Sequence, residues 1–195
     1  AGPIAPKVAA EECVVALVGP AYSGATRVSL PIYEAAMLPI ITPSATNPTL
    51  WDFGKTVFHR AVLTDDYQGP ALARLVTSRV KNAKVFLVND ATDYSVGLAK
   101  TVDITLAGRL VGKDTTPQGT TDFTATIAKI KKAKATAVIY TGYFSQAAVF
   151  VKQLRDSGSK AVFAAGDGVL DAQFVKLARK AAEGVLLSAP AIPME

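Results

Sequence analysis

Short apolar runs alternate with helical patterns along almost the whole chain, and that alternation leaves few folds open. The strand-like runs are Val14–Val18, Leu38–Ile41, Thr56–His59, Val85–Val88, the weak Leu110–Val111, Ala137–Tyr140, Ala161–Ala165 and Gly184–Leu187. Between them fall the helical stretches Thr26–Ala36, Asp66–Val80, Tyr94–Leu106, Asp122–Lys132, Ser145–Asp156 and Asp171–Lys180. Helical spacing is explicit in places: Phe123, Ile127 and Ile130 recur at i, i+4 and i+7. Gly158 is placed to end the helix before it in the left-handed conformation. Repeated strand–helix units predict an α/β fold, with parallel sheets covered by helices on both faces. The near-continuous apolar strands agree, because parallel strands are buried on both sides.

The balance of charge changes near Val62–Tyr67. Residues 1–65 carry four basic and five acidic side chains, whereas 66–195 carry 17 and 11. We therefore expect two lobes: 1–65 as part of the first, 66–188 as most of the second, and 189–195 as the start of a crossover back to the first. The first lobe would hold only about three strands, and the chain opens directly into a short helical stretch. Both features suggest a piece of a longer architecture. A truncated lobe would expose apolar surface, so a dimer or swapped assembly is expected in that case.

Composition excludes several classes. Half of the chain is hydrophobic and 19% is charged, which argues against disorder. No apolar run approaches the roughly 18 to 20 residues of a membrane span, and no signal peptide or lipid-anchor motif is visible in this chain. The net charge of +5 is spread near helix ends and over Lys129–Lys134, which reads as a solvated surface, and no nucleic-acid partner is expected. Cys13 is the single cysteine and reads as a small buried hydrophobe. With one histidine and one cysteine, a zinc site of ordinary spacing is excluded, and no metal or cofactor is expected. The P-loop, the dinucleotide-binding glycine pattern and the G-x-S-x-G elbow are all missing, so an enzyme is not expected.

What stands just past the strands is more telling. Tyr22-Ser23-Gly24, Ser44-Ala45-Thr46, Asp93-Tyr94-Ser95, Gly142-Tyr143 and Asp167-Gly168 follow five of the apolar runs. In open parallel sheets ligands bind at the carboxyl ends of strands. Ser23 stands at a helix start, where free N–H groups and the dipole favour an anion; the alternative is a plain N-cap. Ser44 and Thr46 offer donors and acceptors, or simple turn chemistry. Tyr94 and Tyr143 are core or site tyrosines. Asp167, between two glycines, is a turn-former or the partner of a ligand ammonium. Donors for a carboxylate on one side and a carboxylate on the other would define a zwitterion site.

At these residues the chain resembles the type I periplasmic binding proteins, and within them the branched-chain amino-acid (Leu/Ile/Val) receptors of ABC transporters. The resemblance is carried by Val18-Gly-Pro-Ala-Tyr-Ser-Gly-Ala-Thr26, Leu38-Pro-Ile-Ile-Thr-Pro-Ser-Ala-Thr46, Asp66-Tyr67-Gln-Gly-Pro70, Asp93-Tyr-Ser-Val-Gly-Leu-Ala99, Thr121-Asp-Phe123, Tyr140-Thr-Gly-Tyr143 and Gly166-Asp-Gly168, in that order. It implies a two-lobed receptor, periplasmic or extracellular and in some members lipid-anchored, that closes on a small solute and presents it to a membrane permease. By that analogy Ser23, Thr46 and main chain near Ser44 and Ala45 would hold the ligand α-carboxylate, while Tyr94, Tyr143 and Asp167 would come from the second lobe, Asp167 on the α-ammonium. The related receptors often carry glutamate in place of Asp167. Tyr22, beside the expected side-chain pocket, favours an aromatic or smaller ligand, and the expected solute is a branched-chain or aromatic amino acid or a related small carboxylate, held in a cleft between the lobes. The competing reading is a ligand-sensing domain of the same fold in a signalling or regulatory protein.

Overall fold

In the computed structural model the described residues are 1–191, and they form two compact units that divide between Asp65 and Asp66. Of the expected 189–195 crossover, residues 192–195 lie outside the described residues.

Unit one contains α1 (Ala5–Ala9), β1 (Leu17–Val18), α2 (Ser23–Ala35), β2 (Ile40–Thr42), a 3-10 turn at Pro48–Phe53 and β3 (Phe58–Arg60). The strands form a parallel three-stranded sheet in the order β1-β2-β3. Leu30, Tyr33, Ile40, Leu50, Val57 and Phe58 make its core, with Ala5 of α1 packed among them. The run Val14–Val18 is apolar throughout, yet only its last two residues pair as strand. Its partner β2 is itself only three residues long, so the ladder runs out, and Val15 (81% exposed) and Val18 (79%) face solvent. Cys13 is exposed, contrary to the expectation of burial: it sits in the turn after α1, ahead of the paired residues, and is carried outside the core.

Unit two contains α3 (Asp65–Arg79), β4 (Val85–Asn89), α4 (Asp93–Thr105), β5 (Leu110–Thr115), α5 (Thr124–Lys132), β6 (Ala137–Tyr140), α6 (Phe144–Asp156), β7 (Val162–Ala165), α7 (Ala172–Ala178) and β8 (Leu186–Leu187). Its five strands are all parallel, in the order β5-β4-β6-β7-β8. Period-two alternation sends successive residues to opposite faces. Phe86, Val88, Val138, Tyr140, Phe163 and Ala165 meet α5, α6 and α7. Val85, Leu87, Ala137, Ile139 and Ala164 meet α3 and α4. An aromatic cluster fills the first face: Phe123 stacks on Phe150 at 4.6 Å between centroids, and Phe163 meets Phe150 edge-on at 5.4 Å. β5 runs six residues rather than the two legible as Leu110–Val111. It is an edge strand with alternating burial, so Gly-Lys-Asp-Thr can continue it without apolar side chains.

Helix ends follow local chemistry. Gly158 adopts φ +79° after α6, its N–H donating to Arg155 O at 2.8 Å and that of Ser159 to Leu154 O at 3.3 Å. Among the described residues no helix is long and apolar enough to cross a membrane.

The contact of α3 with α4 depends on a missing side chain. A Cβ on Gly69 would lie 1.9 Å from Thr101 Oγ1 and 3.1 Å from the Thr101 carbonyl carbon. Alanine favours a helix over glycine by about 1 kcal/mol, but overpacking costs about 1–3 kcal/mol. Gly69→Ala is therefore expected to lower stability, measured by urea unfolding. A variant as stable as the parent would show that the two helices can part freely.

Candidate functional site

The strand order of unit two reverses direction between β4 and β6, with β5 on one side and β7 on the other. From these two adjacent strand ends α4 and α6 leave to opposite faces of the sheet. Diverging connections open a crevice at the carboxyl ends, the position at which open parallel sheets bind ligands. Tyr94 opens off β4, Tyr143 off β6, and Asp167 off the neighbouring β7.

The structure brings these three residues together. The buried Tyr94 hydroxyl donates to Asp167 Oδ1 at 2.8 Å and accepts from the Gly168 N–H at 3.0 Å. The half-buried Tyr143 ring lies 5.1 Å from that of Tyr94. Asp167 opens a short 3-10 turn, Asp167–Val169, rather than an open loop. Its flanking glycines are there for clearance. A Cβ on Gly166 would fall 2.6 Å from the Tyr94 hydroxyl, and one on Gly168 would fall 2.7 Å from the Tyr94 ring and 2.9 Å from Gly142 O.

Burial pushes the Asp167 carboxyl above the ordinary carboxylate value, opposed by hydrogen bonds from Tyr94, Gln68 and nearby backbone N–H groups. Among the described residues no lysine or arginine pairs with it. Gln68 was not singled out from sequence. It is buried on α3 and also donates to Ser188 O at 3.2 Å; a lone glutamine in a helical pattern carries no signal of such a role.

Unit one gathers the other predicted residues around the ends of β1 and β2. The loop before α2 includes a cis peptide bond at Gly19-Pro20. Pro20 O accepts from Thr42 Oγ1 at 2.6 Å, and Ala21 O accepts from Ser44 Oγ at 2.7 Å, which ties the two loops together. Ser23 is not the N-cap. That position is Tyr22, which gives no side-chain cap, and the buried Ser23 hydroxyl instead accepts from Asn47 N at 3.4 Å. Buried Ala45 donates its N–H to Thr42 Oγ1 at 3.0 Å. Thr46 Oγ1 is sealed from solvent and has no hydrogen-bond partner among the described residues. Tyr22 is 61% exposed. The sequence reading missed Thr42, whose hydroxyl anchors both loops; its only signal is a hydroxyl residue ending an apolar run. No cluster of three or more His, Cys, Asp or Glu occurs among the described residues.

Comparison with known proteins bears on the fold and the family. A family model described as periplasmic binding protein matches residues 1–195. The leucine-specific-binding protein of Salmonella typhimurium is 32% identical over 177 residues, covering 89% of this chain and 48% of that protein. The crystal structure of a leucine-binding protein from Thermotoga maritima superposes with a TM-score of 0.90 at 28% identity, covering 95% of this chain and 54% of that one. A branched-chain amino acid transporter substrate-binding protein from Streptococcus pneumoniae, solved with isoleucine, gives a TM-score of 0.86 at 30% identity over the same shares. The chain spans about half the length of the relatives it matches.

A raised carboxyl pKa has a definite sign in stability. The folded state holds the Asp167 proton more tightly than the unfolded chain, so its contribution is most favourable at low pH. It declines as pH rises from the ordinary value of 3.8 through the raised folded value, and is level above that. Asp167→Asn removes the titration, while its amide oxygen can still accept from Tyr94. In the ligand-free protein the stability of the variant relative to the parent is expected to grow across that window, as read by thermal unfolding at a series of pH values. A difference independent of pH would contradict the raised carboxyl.

Proposed function

The chain belongs to the periplasmic binding protein family, and on that premise we propose that it is the solute-recognising part of an extracytoplasmic receptor for an amino acid, serving an ABC permease in the membrane. The observation that carries the reading is Asp167: a partly buried carboxylate beside two tyrosines, with no lysine or arginine paired to it among the described residues. A ligand ammonium supplies the missing charge through charge-assisted hydrogen bonds. Thr46 supports the other half of a zwitterion. Its orphaned hydroxyl, close to the uncapped start of α2, suits an α-carboxylate. The relatives named for leucine and isoleucine favour a branched aliphatic side chain, and the exposed Tyr22 leaves an aromatic one in view. No relative named above points to a signalling host.

Recognition of this kind needs no chemistry on the solute. The residues orient the two charged ends of the solute. Calorimetry with leucine, isoleucine, valine and phenylalanine, on the protein expressed from its full reading frame, tests the proposal. Truncating one partner of a buried charge pair costs roughly 2–5 kcal/mol, about 30-fold to several thousand-fold in Kd. Asp167→Ala and Asp167→Asn are both expected to fall in that range. An Asn variant with parental affinity would remove the ammonium from the site and leave a plain carboxylate or amide as ligand.

Thr46→Val separates the ends. Removing an orphaned buried hydroxyl is expected to leave the ligand-free protein as stable or slightly more so, while affinity falls by about tenfold, one hydrogen bond to a charged group. Lost stability with unchanged affinity would make Thr46 a structural residue.

A further inference from the structure

Beneath the Tyr94–Tyr143 pair lies a polar group that ligand recognition does not use. Asp90 follows β4 and is completely buried. Its Oδ1 accepts from the Thr92 N–H at 2.9 Å and the Thr92 hydroxyl at 2.6 Å, and Thr92 caps α4, the helix that carries Tyr94. The Asp90 N–H donates to Ser95 Oγ at 2.8 Å, and Ser95 Oγ lies 2.9 Å from Thr141 Oγ1 at the end of β6. One residue thus ties the β4 turn to the β6 turn.

Its second oxygen is left over. Asp90 Oδ2 and the hydroxyl of fully buried Tyr140 both lack a hydrogen-bond partner among the described residues. They are not hydrogen-bonded to one another in this structure, yet both border the same point. A Cβ on Gly142 would lie 2.5 Å from Asp90 Oδ2 and 2.4 Å from the Tyr140 hydroxyl, so both oxygens press on the same point under the Gly142 backbone. On its other side Gly142 O meets Gly168, next to Asp167. A buried unpaired acceptor and a buried unpaired donor each carry a desolvation penalty. A small shift that pairs them removes both. Burial and the neighbouring carboxylate push the Tyr140 phenol up, so it stays a proton donor.

We propose that Tyr140 donates to Asp90 Oδ2 and that the two form a buried positioning pair, setting the height of Gly142 and Tyr143 against Tyr94 and Asp167. Its effect on affinity rests on the amino-acid reading given above; the pair itself does not.

The structural half is tested by NMR on the ligand-free protein from its full reading frame. The Tyr140 hydroxyl proton is expected as a slowly exchanging resonance with a contact to the Gly142 amide; its absence overturns the pair. Tyr140→Phe is expected to shift the amide resonances of Gly142, Tyr143 and Gly168. The core variant Ile130→Val, at a buried site on α5, is expected to lower the melting temperature and leave those three in place. If Tyr140→Phe moves them no more than Ile130→Val does, the proposal fails. The positioning half is read by calorimetry with leucine: about a tenfold loss of affinity in Tyr140→Phe supports it, and parental affinity overturns it. A parent protein that binds none of the amino acids would end the ligand reading, and the resonances would still decide for or against the pair.

Discussion

Two-sided burial of parallel strands is the constraint on which the rest depends. In unit two the strand interiors are closed to water by α3 and α4 on one face and by α5, α6 and α7 on the other. Polar groups can stand only where pairing stops. The reversal of strand order between β4 and β6 then makes one pair of strand ends unlike the others, because the helices that follow diverge. Tyr94, Tyr143 and Asp167 are where they are because of that divergence. The hydrogen bond from Tyr94 to Asp167 converts a meeting of strand ends into a held geometry.

A held, partly buried carboxylate is a liability to the folded chain unless something charged arrives. Burial raises the Asp167 carboxyl and only neutral donors oppose it. The same is true in smaller measure of the Thr46 hydroxyl. On the reading proposed above, both groups trade some stability of the ligand-free chain for recognition; Thr46 stands beside loops tied by hydroxyl-to-carbonyl bonds, and the Asp167 turn is held by the Tyr94 hydroxyl.

The order of elements, the parallel sheets and the residues at the strand ends were legible in the sequence, because each rests on local pattern. Ala137–Tyr140 was read to the residue, its four apolar side chains being buried on both faces. β5 was under-read since an edge strand tolerates Lys113 and Asp114. Val14–Val18 was over-read since apolar residues cannot pair without a partner strand of equal length. Cys13 misled for a similar reason. At the site, Tyr94 and Asp167 announced themselves by composition. Thr42, Gln68 and Asp90 did not, because their roles are set by contacts across 22, 120 and about 50 positions of sequence, respectively, which no local spacing encodes.

The glycines around Asp167 carry a consequence for divergence by descent. Gly142, Gly166 and Gly168 have no clearance for even a methyl group, since each abuts a tyrosine, a carboxylate or another backbone. Mutation at these positions disturbs the frame before it can alter preference. Tyr143, half-buried, and Tyr22, largely exposed, are less enclosed. On the reading proposed above, lineages that acquire new solutes keep this frame, and a census of such descendants would find uniformity at the three glycines and variety at the two tyrosines.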